Sequence, residues 1–358
     1  MAHKYKKYTH LEHILARPDT YVGSLIPDVS KQWIFDTETE KMKMKQVTHV
    51  GGLFKIFDEI LVNAVDQCVL PDNRVDKITV DVNVQDNCVS IMNTGSGVPV
   101  EQHPDHENVW VPELIFGELL TSSNYNDDEA RTTGGRNGYG AKLANVFSKK
   151  FQVDTVCTRN KKRYVQEWEN NMTTKNKPKI TSKTSANGYT RISFWPDLER
   201  FGLESLDQDD IVALFERRTY DICACTPMNV KVMYNGKSLG IKTFDKYVDS
   251  YIGNKKETQR VYERSEDNRW EIALAESDQG FQQVSFVNGI HTSVGGAHVE
   301  YISSQIVKRI TEHIQSKHKD LKVKPQQIKE HLFLFVKSTL TNPTFSSQTK
   351  TECTSRWK

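Results

Sequence analysis

Residues 135–142 read Gly-Arg-Asn-Gly-Tyr-Gly-Ala-Lys, a glycine-rich loop with the composition of a phosphate cradle. It departs from the two most familiar templates. In a P-loop the second glycine is followed directly by Lys and then by Ser or Thr, whereas here Lys142 comes one position late and Leu143 stands where the hydroxyl belongs. A Rossmann fingerprint also fails, because Leu143 follows where a third glycine is needed. If this loop holds a nucleotide, Mg²⁺ and a catalytic base must come from elsewhere in the chain.

A helix is predicted upstream of the loop, over residues 54–67. Its apolar residues recur at helical spacing and predict a core-facing stripe: Phe57, Ile60, Leu61, Ala64 and Val65. The polar residues fall on the opposite side: Asp58, Glu59, Asn63, Asp66 and Gln67. Such a face, taken alone, is typical of a solvated helix. However, Glu59 and Asn63 lie one turn apart, and a carboxylate beside an amide can polarise a water while the amide oxygen ligates Mg²⁺.

Three shorter segments have suitable chemistry for a nucleotide, although each is also compatible with an ordinary turn or polar loop. A strand over 89–92 ends in Asn93-Thr-Gly-Ser-Gly97, whose glycines would let the backbone approach a flat ligand. Leu119-Leu-Thr-Ser-Ser-Asn124 offers hydroxyls and an amide for ribose or phosphate. Near the C-terminus, Pro343-Thr-Phe-Ser-Ser-Gln-Thr-Lys350 places Gln348 and Lys350 as donors for a γ-phosphate.

The order of these motifs resembles that of the GHKL ATPases, and specifically of the type IIA DNA topoisomerases. Asp-Glu-Ile-Leu-Val-Asn, Leu-Leu-Thr-Ser-Ser-Asn-Tyr, Gly-Gly-Arg-Asn-Gly-Tyr-Gly-Ala-Lys-Leu and Pro-Thr-Phe-x-Ser-Gln-Thr-Lys look like the eukaryotic topoisomerase II version rather than bacterial gyrase. The opening segment 11–23 is similar to the N-terminal segment of that family. The similar strings run from about residue 5 to about residue 352 and so cover essentially the whole chain.

The resemblance implies an α+β fold in which a GHKL (Bergerat) ATP-binding sandwich is followed by a smaller α/β transducer domain of the ribosomal S5 domain 2-like type. The expected boundaries are an N-terminal arm over 1–25, the ATPase domain over 26–240 and the transducer domain over 241–358. The implied function is the ATP-hydrolysing N-gate of a type IIA topoisomerase, whose ATP-driven dimer closure is coupled to DNA strand passage. Because nothing in the sequence resembles the family's DNA-cleavage domains, we expect a fragment of a longer enzyme.

The resemblance also assigns roles to residues. Glu59 is the expected general base, Asn63 the Mg²⁺ ligand, and Gln348 and Lys350 reach the nucleotide from the second domain. ATP and Mg²⁺ are the implied cofactors. The full set of expected nucleotide contacts is Tyr5, Asn63, Asp66, Asn93, Ile115, Phe116, Ser122, Ser123, Asn124, Arg136, Asn137, Gly138, Tyr139, Gly140, Ala141, Lys142, Thr190, Gln348 and Lys350.

The implied partners are double-stranded DNA, a second copy of the chain and the remainder of the topoisomerase. A basic loop after a long helix is the expected DNA contact, and the alternative is a solvated loop that serves solubility; its lysines are Lys317, Lys319, Lys322 and Lys324. The N-terminal arm is short and polar and is expected to fray alone. In the family it crosses to the partner, which places Tyr5 over the partner's nucleotide once ATP is bound.

The chain departs from the family pattern at a few positions. Many GHKL proteins carry Asp at position 93, and Gln67 and Leu70 stand where eukaryotic members usually show Asn and often Arg. These differences leave the source open between a eukaryote, which implies a nuclear protein, and a virus with a eukaryotic-like enzyme, which implies host cytoplasm, nucleus or virion.

Three other functions remain to be compared with this one. A non-catalytic ATP-dependent clamp of the MutL or chaperone kind is disfavoured by the Gln-Thr-Lys motif after a second domain. A GHKL histidine kinase is disfavoured because no phosphoacceptor helix precedes residue 54. A pure binding module would keep the glycine loops but would not need Glu59.

Composition fits these expectations. The length of 358 residues suggests two domains. A net charge of +2 means that any DNA affinity must come from local patches. No apolar run approaches the ~18 residues of a membrane helix, and no apolar segment of a secretory signal follows the basic start. The scattered cysteines predict free thiols in a reducing compartment.

The pattern along the chain predicts the other elements less sharply. A short helix is expected before residue 25 and a variable loop from there to Gly51-Gly52. A hairpin is expected at about 77–92, helices over 141–147, 209–220 and 298–315, and strands over 190–195, 282–287 and 332–336.

Overall fold

The computed structural model describes residues 7–121, 132–134, 138–182 and 187–356. Its helices are α1 (His10–Ala16), α2 (Gly51–Asp66), α3 (Val111–Gly117), α4 (Gly140–Val146), α5 (Asp209–Cys225), α6 (Phe244–Ile252), α7 (Ala297–Lys317) and α8 (Pro325–Lys329). Its strands are β1 (Asp28–Asp36), β2 (Lys41–His49), β3 (Lys77–Asn83), β4 (Cys88–Thr94), β5 (Ser148–Cys157), β6 (Lys162–Glu169), β7 (Thr174–Lys175), β8 (Lys179–Ser182), β9 (Tyr189–Pro196), β10 (Lys231–Tyr234), β11 (Lys237–Ser238), β12 (Arg260–Arg264), β13 (Trp270–Glu276), β14 (Gln282–Val287), β15 (Ile290–His291), β16 (Gly295–Gly296), β17 (Leu332–Ser338) and β18 (Glu352–Cys353).

The larger sheet has nine strands in the described part of the chain, in the order β11-β10-β3-β4-β9-β5-β6-β7, with β8 also paired to β6. β10 runs parallel to β3, and the other neighbours are antiparallel. One face is buried under α2, α4 and α5, so alternate residues of β3 such as Ile78 and Val80 are buried while the others are more exposed. The sheet with its single helical layer is the predicted sandwich.

The smaller sheet has the order β12-β13-β17-β14-β15 in the described part of the chain, with a parallel β14–β17 pair and otherwise antiparallel neighbours. Both of its faces are covered, which explains the continuous apolar run Leu-Phe-Leu-Phe-Val in β17. Phe333 and Phe335 pack toward α6, whereas Leu334 and Val336 pack toward α7. The predicted α+β architecture is therefore confirmed, whereas the residue boundaries of the domains stay a prediction.

The predicted variable loop before Gly51-Gly52 is wrong, because residues 28–49 form the β1–β2 hairpin. The strand pattern was easy to miss, since Met42 and Val47 are the buried residues of β2 and their five-residue separation does not follow the two-residue period of a strand. Trp33 and Phe35 of β1 pack with α5, α6 and the smaller sheet. Long-range packing rather than local pattern therefore fixes this hairpin.

The C-terminal segment returns to the larger unit. β18 pairs with β16, which directly precedes α7, and Gly296 (φ 121°) lies so close to this strand that a Cβ would be 2.1 Å from the Cys353 oxygen. Gly23 near the N-terminus lies against Thr349. Residues 343–354 are thus held against both the smaller sheet's helix and the N-terminal region. In the described residues no helix is both long enough and apolar enough to span a bilayer.

Candidate active site

Helix α2 supplies the centre of the site. It packs against α4 and α5, and most of its length is buried, including the carboxylates of Asp58 and Glu59. The polar face that would be solvated in an isolated helix is therefore partly enclosed. A buried carboxylate is costly unless it is paired, so the partners of these two residues define the local chemistry.

Glu59 lies between two ammonium groups. Lys55 Nζ lies 2.6 Å and Lys350 Nζ 3.3 Å from Glu59 Oε1, and all three side chains are almost fully buried. Burial raises the pKa of the Glu59 carboxyl, but Lys350 and Lys55 outweigh this effect and lower the pKa to about 2. Glu59 is therefore ionised at neutral pH, and its basicity is reduced while both lysines are in contact with it.

The first turn of α4 lies against the other oxygen of this carboxylate. A Cβ on Gly140 would be 2.2 Å from Glu59 Oε2, so the backbone of this turn lies directly against the carboxylate. Of the predicted loop residues, Gly138, Tyr139, Gly140, Ala141 and Lys142 are thus brought beside Glu59 or into the adjoining turn. Arg136 and Asn137, and likewise Tyr5, Ser122, Ser123 and Asn124, lie outside the described residues.

Lys142 is buried and its ammonium donates hydrogen bonds to the carbonyl oxygens of Thr121 and Gly138, the latter at 2.7 Å. Burial lowers the pKa of this ammonium to about 8, with Glu118 opposing the shift. Thr121 directly precedes residues 122–137 in the chain, and Gly138 directly follows them. Lys142 therefore fastens the two ends of the region that we expect to surround the phosphates.

Asn63 and Asp66 follow Glu59 on α2, and both are partly exposed. Asp66 Oδ1 accepts a hydrogen bond from the Gly134 amide at 2.9 Å, so this carboxylate positions the loop. Asn63 has no hydrogen bond from its carboxamide to the rest of the described chain, which leaves its oxygen available. No cluster of three or more His, Cys, Asp or Glu side chains in the described ranges could hold a metal alone. A single amide oxygen fits Mg²⁺, which usually keeps phosphate and water ligands.

Asn93 and Thr190, two of the predicted nucleotide contacts, lie directly opposite each other on the neighbouring strands β4 and β9. Asn93 is buried and its amide donates to the Thr94 oxygen at 3.0 Å, while the Thr190 hydroxyl lies 3.0 Å from that of Thr155. The nearby Gly97 has φ 70°, and a Cβ there would lie 2.0 Å from the Val156 oxygen. The protein's own backbone packing thus accounts for this glycine, which we had expected to serve a ligand.

The remaining predicted contacts differ in exposure. On α3, Ile115 is exposed, whereas Phe116 is buried and its carbonyl accepts a hydrogen bond from Asn145. The Tyr139 hydroxyl lies 2.8 Å from His10 Nε2, with the two rings stacked, so α1 is fastened to the start of α4. Gln348 is partly buried and belongs to the same C-terminal segment as Lys350.

Two parts of the site were missed from the sequence. Lys55 lies one turn before Glu59, and the i, i+4 spacing of a lysine and a glutamate was an available signal. Asp58 pairs with Arg218 of α5, whose Nε lies 2.6 Å from Asp58 Oδ1 and whose Nη2 donates to the Gly289 oxygen at 2.8 Å. This arginine, which is fully buried, joins α2 to the turn between β14 and β15 and has no local sequence signal.

Two protein-family models match this chain, each over a different range of residues. The family described as histidine kinase-, DNA gyrase B- and HSP90-like ATPase matches residues 48–200, and the DNA gyrase B family matches residues 240–358. DNA topoisomerase 2 of Saccharomyces cerevisiae is 48% identical over 99% of this chain, and that of Candida glabrata is equally similar. The chain spans 26% of the length of these two curated relatives.

Solved structures agree in fold and in extent. The ATPase region of Saccharomyces cerevisiae topoisomerase II is 48% identical with a TM-score of 0.93, and the match covers 99% of this chain and 92% of that one. The ATPase and transducer domains of topoisomerase II from Balamuthia mandrillaris give 41% identity and a TM-score of 0.93 over 99% of this chain and 89% of that one. The chain therefore belongs to the family of topoisomerase II ATPase regions, with the GHKL ATPase fold that its motifs predicted.

Proposed function

We propose that this chain binds and hydrolyses ATP, with Glu59 as the general base. The observation that carries the proposal is the position of Glu59, buried between Lys55 and Lys350 with its second oxygen against the first turn of α4. Because Lys350 comes from the C-terminal segment, the Glu59 carboxylate contacts lysines from both units of the chain. Such a convergence is expected where nucleotide chemistry is coupled to movement between domains.

The contacts suggest how the base is controlled. Lys350 lowers the basicity of Glu59 while it pairs with it. A γ-phosphate would compete for this ammonium, since charge-assisted hydrogen bonds to phosphate are strong. Release of Lys350 raises the pKa of Glu59, whose Oε2 then accepts a proton from the attacking water. The base thus becomes effective once the nucleotide is in place.

Other residues position the substrate. Asn93 and Thr190 would hold the adenine, and Lys142 would exchange its carbonyl partners for phosphate oxygens. Asn63 would ligate Mg²⁺, which supplies charge neutralisation on the phosphates when bound. Catalysis by this arrangement is mostly positioning and electrostatic stabilisation, as in other phosphoryl transfers.

Replacement of the base tests the proposal. Glu59→Ala should lower the hydrolysis rate by about 10²–10⁴, the usual contribution of a general base, while calorimetry shows nearly unchanged affinity for a non-hydrolysable ATP analogue. Glu271→Ala is the matched control, because Glu271 is also buried and pairs with a lysine, Lys337, at 2.7 Å but belongs to the smaller sheet. Full hydrolysis by the Glu59 variant would indicate a nucleotide-binding module or clamp with another base.

We also propose that this ATPase is the N-gate of a DNA topoisomerase, in which ATP closes two copies of the chain through the N-terminal arm and Tyr5. The support is the family and the position of α1, which contacts Tyr139, the residue before the Gly140 that lies against Glu59. Sedimentation should show mostly monomer without nucleotide and dimer with a non-hydrolysable analogue, and Tyr5→Ala should weaken this shift. An equal dimer fraction with and without nucleotide would contradict the gate.

The DNA contact is proposed at the end of α7. Lys317 is the last residue of that helix, and Lys319, Lys322 and Lys324 follow it, all exposed. Replacement of these four lysines by Ala should flatten the salt dependence of DNA binding, because each phosphate contact contributes about 0.9 to the slope. Exposed lysines of the larger unit, Lys177, Lys179, Lys231 and Lys237, provide the control set. An unchanged salt dependence would favour the alternative, a solvated loop that serves solubility.

A further inference from the structure

Lys55 is a buried cation to which the assignments above give no function. Its side chain is 7% exposed, and its ammonium forms the shorter of the two contacts to Glu59, at 2.6 Å. Burial lowers the pKa of Lys55, with Glu59 opposing this effect. Because an ammonium in such a place is destabilising unless it is paired, its position beside the proposed base needs a reason.

The two lysines at Glu59 are not equivalent. Lys55 lies on the same helix as Glu59, so its contact depends only on the geometry of α2. Lys350 arrives from a segment that is separated by 291 positions in the chain, and its contact depends on how that segment packs. If Lys350 turned from Glu59 to a nucleotide, Lys55 would still contact Glu59 and, among the described residues, would be the remaining cation paired with it, beside the Asp58 carboxylate that Arg218 neutralises.

The contacts also distinguish the two oxygens of the carboxylate. Both ammonium groups bind Oε1, whereas Oε2 lies against Gly140 at the start of α4. A lysine that is fixed on Oε1 therefore directs Oε2 toward the glycine-rich loop, where the attacking water must lie if the loop holds the phosphates. Without such a contact, the carboxylate could rotate about its terminal bond, since that torsion is broad.

We propose that Lys55 is a positioning residue of the ATPase: it holds Glu59 Oε1, so that Oε2 faces the glycine-rich loop, and it keeps this contact when Lys350 turns to the nucleotide. The inference rests on the proposed role of Glu59 as the base. Lys55 itself is not expected to touch the nucleotide.

The first test compares Lys55→Met, which keeps most of the unbranched stem but removes the charge, with Lys55→Arg, which keeps the charge. Misplacement of a reacting group by about 1 Å can cost about 10²-fold in rate. We expect Lys55→Met to lower kcat by about 10–100-fold with little change in KM, and Lys55→Arg to restore part of the loss. Calorimetry with a non-hydrolysable ATP analogue should give the same affinity for wild type and Lys55→Met. The acid limb of the kcat profile should shift to higher pH, because the loss of a cation raises the pKa of Glu59.

The second test is a double-mutant cycle, measured by single-turnover hydrolysis. If Lys55 acts through Glu59, Lys55→Met should cost little further rate in a Glu59→Gln background. An equal loss in both backgrounds, or a weakened analogue affinity, would overturn the positioning role. Normal kcat for Lys55→Met beside an inactive Glu59→Gln would overturn it too, while leaving the base assignment intact. Full activity of Glu59→Gln would instead remove the base assignment and the inference together.

Discussion

Asp58 and Glu59 are neighbours in the chain, and both are buried carboxylates on α2, yet their surroundings differ in kind. Asp58 pairs with an arginine that is fully buried and also bonds the Gly289 carbonyl of the smaller unit. Glu59 pairs with two lysines, one of which comes from the C-terminal segment. Both carboxylates therefore join the two units, but with different cations.

The choice of cation has a physical consequence. The planar fork of Arg218 reaches Asp58, Gly289 and, at 4.0 Å, Asp221, so one rigid group holds two carboxylates of the larger unit and a carbonyl of the smaller one. A lysine is a point charge on a flexible stem, so Lys350 can exchange one anion for another. The arginine contact fixes the joint, whereas the lysine contact is suited to be remade at each nucleotide cycle.

The largest effect is expected when the arginine contact is broken. Asp58→Asn leaves the buried Arg218 without its closest anion, and loss of one partner of a buried pair usually costs about 3–5 kcal/mol. Denaturant unfolding should show this loss in the free energy of unfolding. The control is Asp81→Asn, an exposed aspartate on β3 that should change it by less than about 0.5 kcal/mol. A stable Asp58→Asn protein would mean that the two contacts do not differ as described.

An intermediate effect is expected at Lys350, and on binding rather than stability. Lys350→Met should weaken a non-hydrolysable ATP analogue by about 10–100-fold, because a charge-assisted hydrogen bond contributes about 1.5–3 kcal/mol. ADP affinity should hardly change, since ADP has no γ-phosphate. Lys337→Met, which removes the partner of Glu271 in the smaller sheet, is the control for loss of a half-buried, paired lysine away from the site. Equal losses for both nucleotides would place Lys350 outside the γ-phosphate contacts.

The sequence predicted the elements that carry local patterns. The apolar spacing of α2 and the collinear motifs indicated the family, the fold and the neighbourhood of Glu59, and each of these is a property of short segments. It did not predict the Asp58–Arg218 pair, because those residues are 160 positions apart and neither local sequence indicates that the two side chains pair.

Two local features were also missed, for different reasons. The β1–β2 hairpin is stabilised by packing against α5, α6 and the smaller sheet, and its own strands do not alternate regularly. Lys55 and Glu59 do have the i, i+4 spacing of a helical ion pair, but exposed and buried ion pairs share this spacing. Only the burial of α2 shows that this pair is enclosed beside the loop. Exposure, rather than spacing, separates a surface pair from part of a site.

The smallest expected effect is the pH dependence of the Glu59 contact. Because the folded state lowers the pKa of Glu59 from 4.5 to about 2, the ionised carboxylate stabilises the fold above pH 4.5, and this contribution is lost as the pH falls toward 2. Glu59→Gln cannot titrate, so the difference in unfolding free energy between wild type and variant should shrink by about 1 kcal/mol between pH 7 and pH 3.5. Denaturant titrations of both proteins at pH 7, 4.5 and 3.5 measure it. A constant difference would show that Lys55 and Lys350 do not hold Glu59 ionised, and the contrast between an exchangeable lysine contact and a fixed arginine contact would then lose its electrostatic basis.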